Sequence, residues 1–222
     1  MECTVRGLQV VRRLGLATAL VVGGMGVSPV HAAGSDVALP RSELLQRALA
    51  AYRRVESAGL LRRRLLTVID YSLPSRERRL WVLDPAHLRV LFHEFVAHGR
   101  GSTTADDPDR AVRFGNEAAS LRSSLGAFLT GNTYRGKHGQ SLELIGLDPG
   151  VNDKARERRI VMHPADYVGA AFRATWGGRV GRSFGCPAID PAVARPLIES
   201  IRDGSVVYVG GAAPRLARAE RQ

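Results

Sequence analysis

Cysteine is scarce in this 222-residue chain, which holds only Cys3 and Cys186. Cys3 stands in a segment that reads as an export signal, so the mature chain keeps one thiol and no disulfide framework. A long apolar run is missing as well. Leu14 to Val27 is uncharged, but it is glycine-bearing and shorter than the roughly 20 apolar residues a membrane span requires. Aromatic residues make up 6% of the chain and interleave with no basic stripe. With no helix-turn-helix pattern either, nucleic acid is not the expected partner. Internal repeats and low-complexity tracts are absent.

Acidic charge is outweighed, 21 Asp plus Glu against 32 Lys plus Arg, for a net charge of +11. Arg6, Arg12 and Arg13, the apolar run, and Ser28-Pro29-Val30-His31-Ala32-Ala33 follow the charged, apolar, small-residue order of a secretory signal peptide. Cleavage is placed after Ala32, with retention as an anchor the alternative. Arg12-Arg13 leaves the export route open, and Cys3, ahead of the apolar run, is not placed as a lipoprotein anchor. Removing the segment leaves about 190 residues, enough for one domain with a proper core. It also takes away three arginines and Glu2, leaving +9. An exported protein of the periplasm or cell envelope is expected. Its charge suits polyanions such as carboxylate-bearing peptidoglycan or anionic headgroups, and a well-solvated arginine-rich surface accounts for it equally.

Residues 33 to 41 read as a linker, after which Ser42 caps a periodic segment predicted to be helical to about Ser57. Short apolar runs with turn punctuation then predict strands at Leu65 to Tyr71, Arg79 to Leu83, Leu88 to Val96, Ala127 to Thr130, Ser141 to Leu147, Ile160 to His163 and Val206 to Val209. Asp84-Pro85 suits a hairpin turn. A last helix is expected from Asp190 as cap, with Pro191 in its first turn, ending before Gly204; Pro196 inside it predicts a kink or two short helices. Residues 100 to 122 read as a long polar loop, substrate-contacting or disordered.

A lone thiol kept in an oxidising compartment is a liability unless it is used. Cys186, in Gly181-Arg182-Ser183-Phe184-Gly185-Cys186-Pro187-Ala188, is therefore the candidate nucleophile, against the bland alternative of a small buried core residue. A thiol attacks as thiolate and needs a base or a positive neighbourhood. His163, ending Ile160-Val161-Met162-His163, is the leading base, with Arg179 and Arg182 as cations that favour thiolate or hold a carboxylate. Gly185 permits a tight turn, and the N–H groups of Gly185 and Cys186 are candidate oxyanion donors. His93-Glu94-Phe95-Val96-Ala97-His98 imitates a zinc-protease signature, but its histidines are five apart and on a strand point to opposite faces. That pair is rejected as a zinc site; convergence of His98, His138 and His163 stays open. The turns at His98-Gly99-Arg100 and Gly136-Lys137-His138-Gly139 are candidates to line a cleft for an acidic peptide.

Taken together, these segments resemble the murein L,D-transpeptidase catalytic domain family over roughly Leu65 to Gly210. The resemblance rests on Val96-Ala97-His98-Gly99, Ser123-Ser124-Leu125-Gly126-Ala127-Phe128, Tyr134-Arg135-Gly136-Lys137-His138-Gly139, Asn152-Asp153, Ile160 to His163 and Gly181 to Ala188. It implies a β-rich α+β fold, a mixed β-sandwich with an N-terminal helix and a short C-terminal helical segment. Residues 1–32 would be the signal peptide, 33–64 linker and helix, 65–211 the catalytic domain and 212–222 a basic tail. It further implies Cys186 as nucleophile, His163 as base oriented by a backbone carbonyl, Ser183 as a supporting hydrogen-bonder and Gly185 as oxyanion donor. His98, His138, Arg182 and Tyr134 would be substrate-binding, with no metal or organic cofactor. Phe184 departs from the histidine many members carry, as do Pro187-Ala188 from the residues that commonly follow the cysteine. The expected partners are peptidoglycan stem peptides, attacked at an L,D bond to give a thioester. An acceptor amine would resolve it as a cross-link, and water would make the enzyme a carboxypeptidase. A non-catalytic wall-binding domain is the remaining alternative.

Overall fold

A computed structural model of the protein describes residues 37–212. The signal segment and nearly all of the basic tail lie outside the described residues. Among the described residues three α-helices, α1 (Ser42–Ser57), α2 (Ala170–Thr175) and α3 (Pro191–Ile201), accompany nine strands. In chain order these are β1 (Leu66–Asp70), β2 (Leu80–Asp84), β3 (Arg89–Glu94), β4 (Val96–Ala97), β5 (Gly126–Gly136), β6 (Gly139–Gly146), β7 (Val161–Pro164), β8 (Ala188–Ile189) and β9 (Val206–Gly210). They form one mixed sheet in the order β3-β2-β1-β9-β5-β6-β7-β8-β4. Only β1 with β9 and β7 with β8 pair in parallel. The fold is β-rich α+β, with the expected N-terminal helix and C-terminal helical segment.

Alternation along the strands sorts the core into two layers. Leu66 and Val68 of β1 pack with Leu44, Ala48 and Tyr52 of α1. Ile69 instead joins Phe128, Leu142 and Met162 against Leu197, Ile198 and Ile201 of α3. The sheet is thus covered on both faces, which is why β1 and much of β2 read as unbroken apolar runs.

Differences from the expected elements have local causes. Arg41, not Ser42, occupies the cap position of α1, and its side chain makes no capping bond. Asp190 caps α3 as expected, its carboxylate accepting from Ala192 N–H at 3.0 Å. The helix runs through Pro196 without dividing. Ala192 and Pro196 both lie on its exposed side, where water can serve the carbonyl that the proline leaves without a donor. β5 is longer than its apolar core because the ladder slips between Thr130 and Thr133 and then resumes. The run expected as one strand from Leu88 to Val96 divides at Phe95 into β3 and β4, and β8 and α2 have no counterpart among the expected elements.

Candidate active site

The Cys186 turn depends on glycine for both conformation and room. Gly185 has φ +124°, and a Cβ there would lie 2.8 Å from the Arg122 carbonyl oxygen and 3.2 Å from Ile160 Cδ1. Ser183 Oγ donates to the Cys186 carbonyl at 2.6 Å and accepts from Gly185 N–H at 3.0 Å. Its own N–H donates to the His98 carbonyl at 2.9 Å. Ser183 therefore knits the turn and leaves its hydroxyl no freedom to attack. The Gly185 N–H is spent inside the turn, whereas the Cys186 N–H has no intramolecular acceptor among the described residues.

Cys186 is partly buried, its S–H donating to the Arg159 carbonyl at 3.8 Å. Burial pushes the thiol pKa above its ordinary value, while a backbone hydrogen bond from Val161 and the Arg158 guanidinium pull it back. The parallel pairing of β7 and β8 sets His163 opposite Ala188, two residues past the thiol. His163 Nδ1 lies 2.9 Å from the Pro164 carbonyl. A carbonyl only accepts, so Nδ1 carries the proton and Nε2 keeps its lone pair. Burial lowers the pKa of His163; the Pro164 bond opposes that shift and the His138 imidazole adds to it. The neutral ring and protonated thiol are thus the resting pair at neutral pH.

Both groups line a cleft of about 600 Å³, within the usual range of ligand sites. Ser183, Tyr134, His138 and Arg182 join them there. His138 stacks on His163 with ring centroids 4.6 Å apart. Two cavities of about 670 and 880 Å³ lie elsewhere, one beside α1 and β9 and one beside the end of α3, and contain neither cysteine nor histidine.

His98 is a correction, because it is fully buried and lines no part of the cleft. Its Nδ1 accepts from the buried Arg79 at 2.7 Å, and it packs edge-on against Tyr71. Burial, reinforced by the Arg79 and Arg182 charges, pushes its pKa down to about 3. It also lies apart from the His138–His163 stack, and among the described residues no three histidine, cysteine or acidic side chains gather as metal ligands. Arg179 is displaced too, stacking on Trp176 at 5.1 Å outside the cleft.

The cation beside the thiol is Arg158, which the sequence reading passed over. One of its terminal nitrogens donates to the Gly115 carbonyl at 2.9 Å and Ser124 Oγ at 2.5 Å, the other to the Arg122 carbonyl at 2.6 Å. Burial lowers its pKa, and the charges of Glu117 and Cys186 oppose the shift. Its position five residues before His163 was the available signal, hidden among 32 basic residues. The loop 100–122 lines no part of the cleft. It is tied down instead, by Asp109 to Ser75 and Arg76, and it holds Arg158 through Arg122 and Arg182 through Thr103 Oγ1. Phe184 is 64% exposed at the cleft edge, with the Arg100 guanidinium 4.6 Å from its ring centre.

Residues 39–209 match the model of the L,D-transpeptidase catalytic domain. The chain belongs to that family. No curated protein matches it. Solved structures similar to it include an L,D-transpeptidase from Mycobacterium smegmatis, 12% identical with a TM-score of 0.39 over 66% of this chain and 58% of that one. An L,D-transpeptidase from Xylanimonas cellulosilytica is 16% identical, TM-score 0.37, covering 75% and 77%. The helical cell shape determining protein of Campylobacter jejuni is 12% identical, TM-score 0.45, covering 79% and 58%. The chain thus spans less than two thirds of the Mycobacterium and Campylobacter chains. Among the described residues of this L,D-transpeptidase domain, no helix is long and apolar enough to cross a membrane.

Proposed function

We propose that the protein is an exported, cysteine-dependent acyltransferase acting on peptidoglycan stem peptides. Cys186 Sγ attacks the carbonyl carbon of an L,D bond while His163 Nε2 takes the thiol proton. The Cys186 N–H faces the oxyanion, and Gly185 contributes the turn that aims it. Collapse forms the thioester, breaks the C–N bond and passes the proton from His163 to the departing amine. An acceptor amine then attacks the thioester, with His163 taking its proton, and thiol and cross-link are released. Water in place of the amine yields a shortened stem with the same residues. The supporting observation is the shared cleft of Cys186 and His163, with Nδ1 of the histidine committed to the Pro164 carbonyl.

Mass spectrometry of the mature protein incubated with tetrapeptide muropeptides tests this. A Cys186-linked adduct and dimeric product are expected, and Cys186→Ala should give neither. Turnover that persists in Cys186→Ala would sink the reading, while a binding domain would give no adduct and keep its affinity for peptidoglycan after the substitution.

A further inference from the structure

Lys137, Arg158, Arg159 and Arg182 bring four cationic side chains to the cleft, and its lining includes no aspartate or glutamate. They come from three segments: the β5–β6 turn, the approach to β7, and the turn before Cys186. None of the four meets a carboxylate within ion-pair distance among the described residues. Arg158 and Arg182 are held by neutral acceptors, carbonyls and hydroxyls of the 100–124 region. These bonds orient the guanidinium groups without cancelling their charge. Arg76 and Arg173, by contrast, meet Asp109 and Asp190 at 2.5 and 3.0 Å.

Like charges gathered in a concave site repel one another and focus a positive potential where a ligand would sit. A carboxylate there relieves that repulsion and gains charge-assisted hydrogen bonds, whereas a neutral amide of the same shape gains neither in full. We propose that the cleft selects ligands by their free carboxylates, preferring stem peptides with free side-chain carboxylates over stems with those groups amidated. Lys137 and Arg182, both exposed, are the specificity-determining pair, because Arg158 is half-buried and held by three acceptors behind it and Arg159 also lines a neighbouring cavity. The stem-peptide half of the proposal rests on the function proposed above; the charge selectivity does not.

Two small alkylating agents separate these halves. Iodoacetate and iodoacetamide both react by thiolate attack on carbon with loss of iodide, and they differ in carrying a carboxylate or an amide. The iodoacetate-to-iodoacetamide rate ratio at Cys186 should exceed that of free cysteine at the same pH. It should fall about fivefold for each cation removed in Lys137→Gln and Arg182→Gln, the scale of one charge at close range in water. It should also collapse toward the free-cysteine value at about 1 M salt. Any change in thiolate fraction acts on both reagents and cancels in the ratio, and urea unfolding shows whether the fold is intact in the variants. A ratio equal to that of free cysteine, or one indifferent to both substitutions, would overturn the proposal. With stems, acylation should favour the free acid over the amidated peptide, and the double variant should lose that preference. Equal rates for the two stems would overturn the stem half. Anion preference without acylation of either stem would uphold the charged cleft and remove the function proposed above.

Discussion

His98 and His163 invite comparison, since the first directly follows a short strand, the second lies within one, and each is held below the ordinary histidine pKa by burial. Their neighbours assign them different work. His98 sits on the Arg79 side of the sheet, where a fully buried guanidinium donates to the Val96 and Leu73 carbonyls and to the His98 ring. Every hydrogen-bond acceptor of that cation is neutral, so the cluster is a structural device bracing β4 and the chain ahead of β2. His163 gives one nitrogen to a carbonyl and lines the cleft that it shares with the thiol. Burial alone therefore does not mark a functional histidine; an uncommitted ring nitrogen on a cavity wall does.

The largest expected effect separates the two positions by observable. His163→Ala should slow acylation of Cys186 about 10²–10⁴-fold and change stability little. His98→Leu should leave acylation within a few-fold and lower unfolding stability by about 2–4 kcal/mol, because Arg79 loses an acceptor in a fully buried site. Single-turnover acylation and urea unfolding of both variants read this out. A stable His98→Leu protein, or a wild-type acylation rate in His163→Ala, would dissolve the distinction.

The pH profiles sharpen the same contrast. His98 binds a proton in the unfolded chain near 6.5 but in the folded chain only at about 3. Unfolding therefore takes up a proton between those values, so His98's contribution to stability is complete above pH 6.5 and is lost progressively as pH falls toward 3. His98→Gln keeps an acceptor for Arg79 and should flatten that limb. It should not abolish it, since His93 and His163 are also lowered by burial. The acid limb of acylation should sit below the ordinary histidine range, because the lowered pKa of His163 keeps the base neutral into more acidic solution. Titration of kcat/KM checks it, and a limb above 6.5 would contradict the resting state assigned to the pair.

Local signals carried much of this structure. The α1 periodicity, the Asp190 cap and the apolar runs are short-range patterns, and apart from the far end of β5 each marks an element that forms within a few residues of its expected position. The Cys186 turn was legible for the same reason, since its glycine and serine act within four residues. What escaped depends on contacts between distant segments. β4 and β8 are two residues each and are held by pairing with distant segments, β4 with β8 and β8 also with β7, so no periodicity announces them. His98 and His138 look alike in sequence, both histidines beside glycine, and only the packing of Arg79 and Tyr71 shows that the first is sealed. Arg158 bonds to residues 34 to 43 positions away, a reach that no spacing rule captures in an arginine-rich chain.

Arg158 supplies the smallest effect and the finest test, because it combines two functions in one side chain. Its charge favours the Cys186 thiolate, and its fork ties Gly115, Arg122 and Ser124 together behind the turn. Arg158→Gln should raise the thiol pKa by less than about one unit, the scale of a single partly solvated charge at short range, and should also loosen the loop. Arg158→Lys restores a cation but not a planar fork that bonds carbonyls with two nitrogens at once. The lysine variant should therefore recover most of the thiol pKa, read from the pH dependence of iodoacetamide alkylation, while amide exchange over residues 115–124 stays faster than in the wild type. If lysine restores both or neither, charge and tether are not separable at this position. If only the tether matters, glutamine and lysine will leave the thiol pKa unchanged, and the positive neighbourhood of the nucleophile must then come from the Val161 N–H and the exposed cations of the cleft.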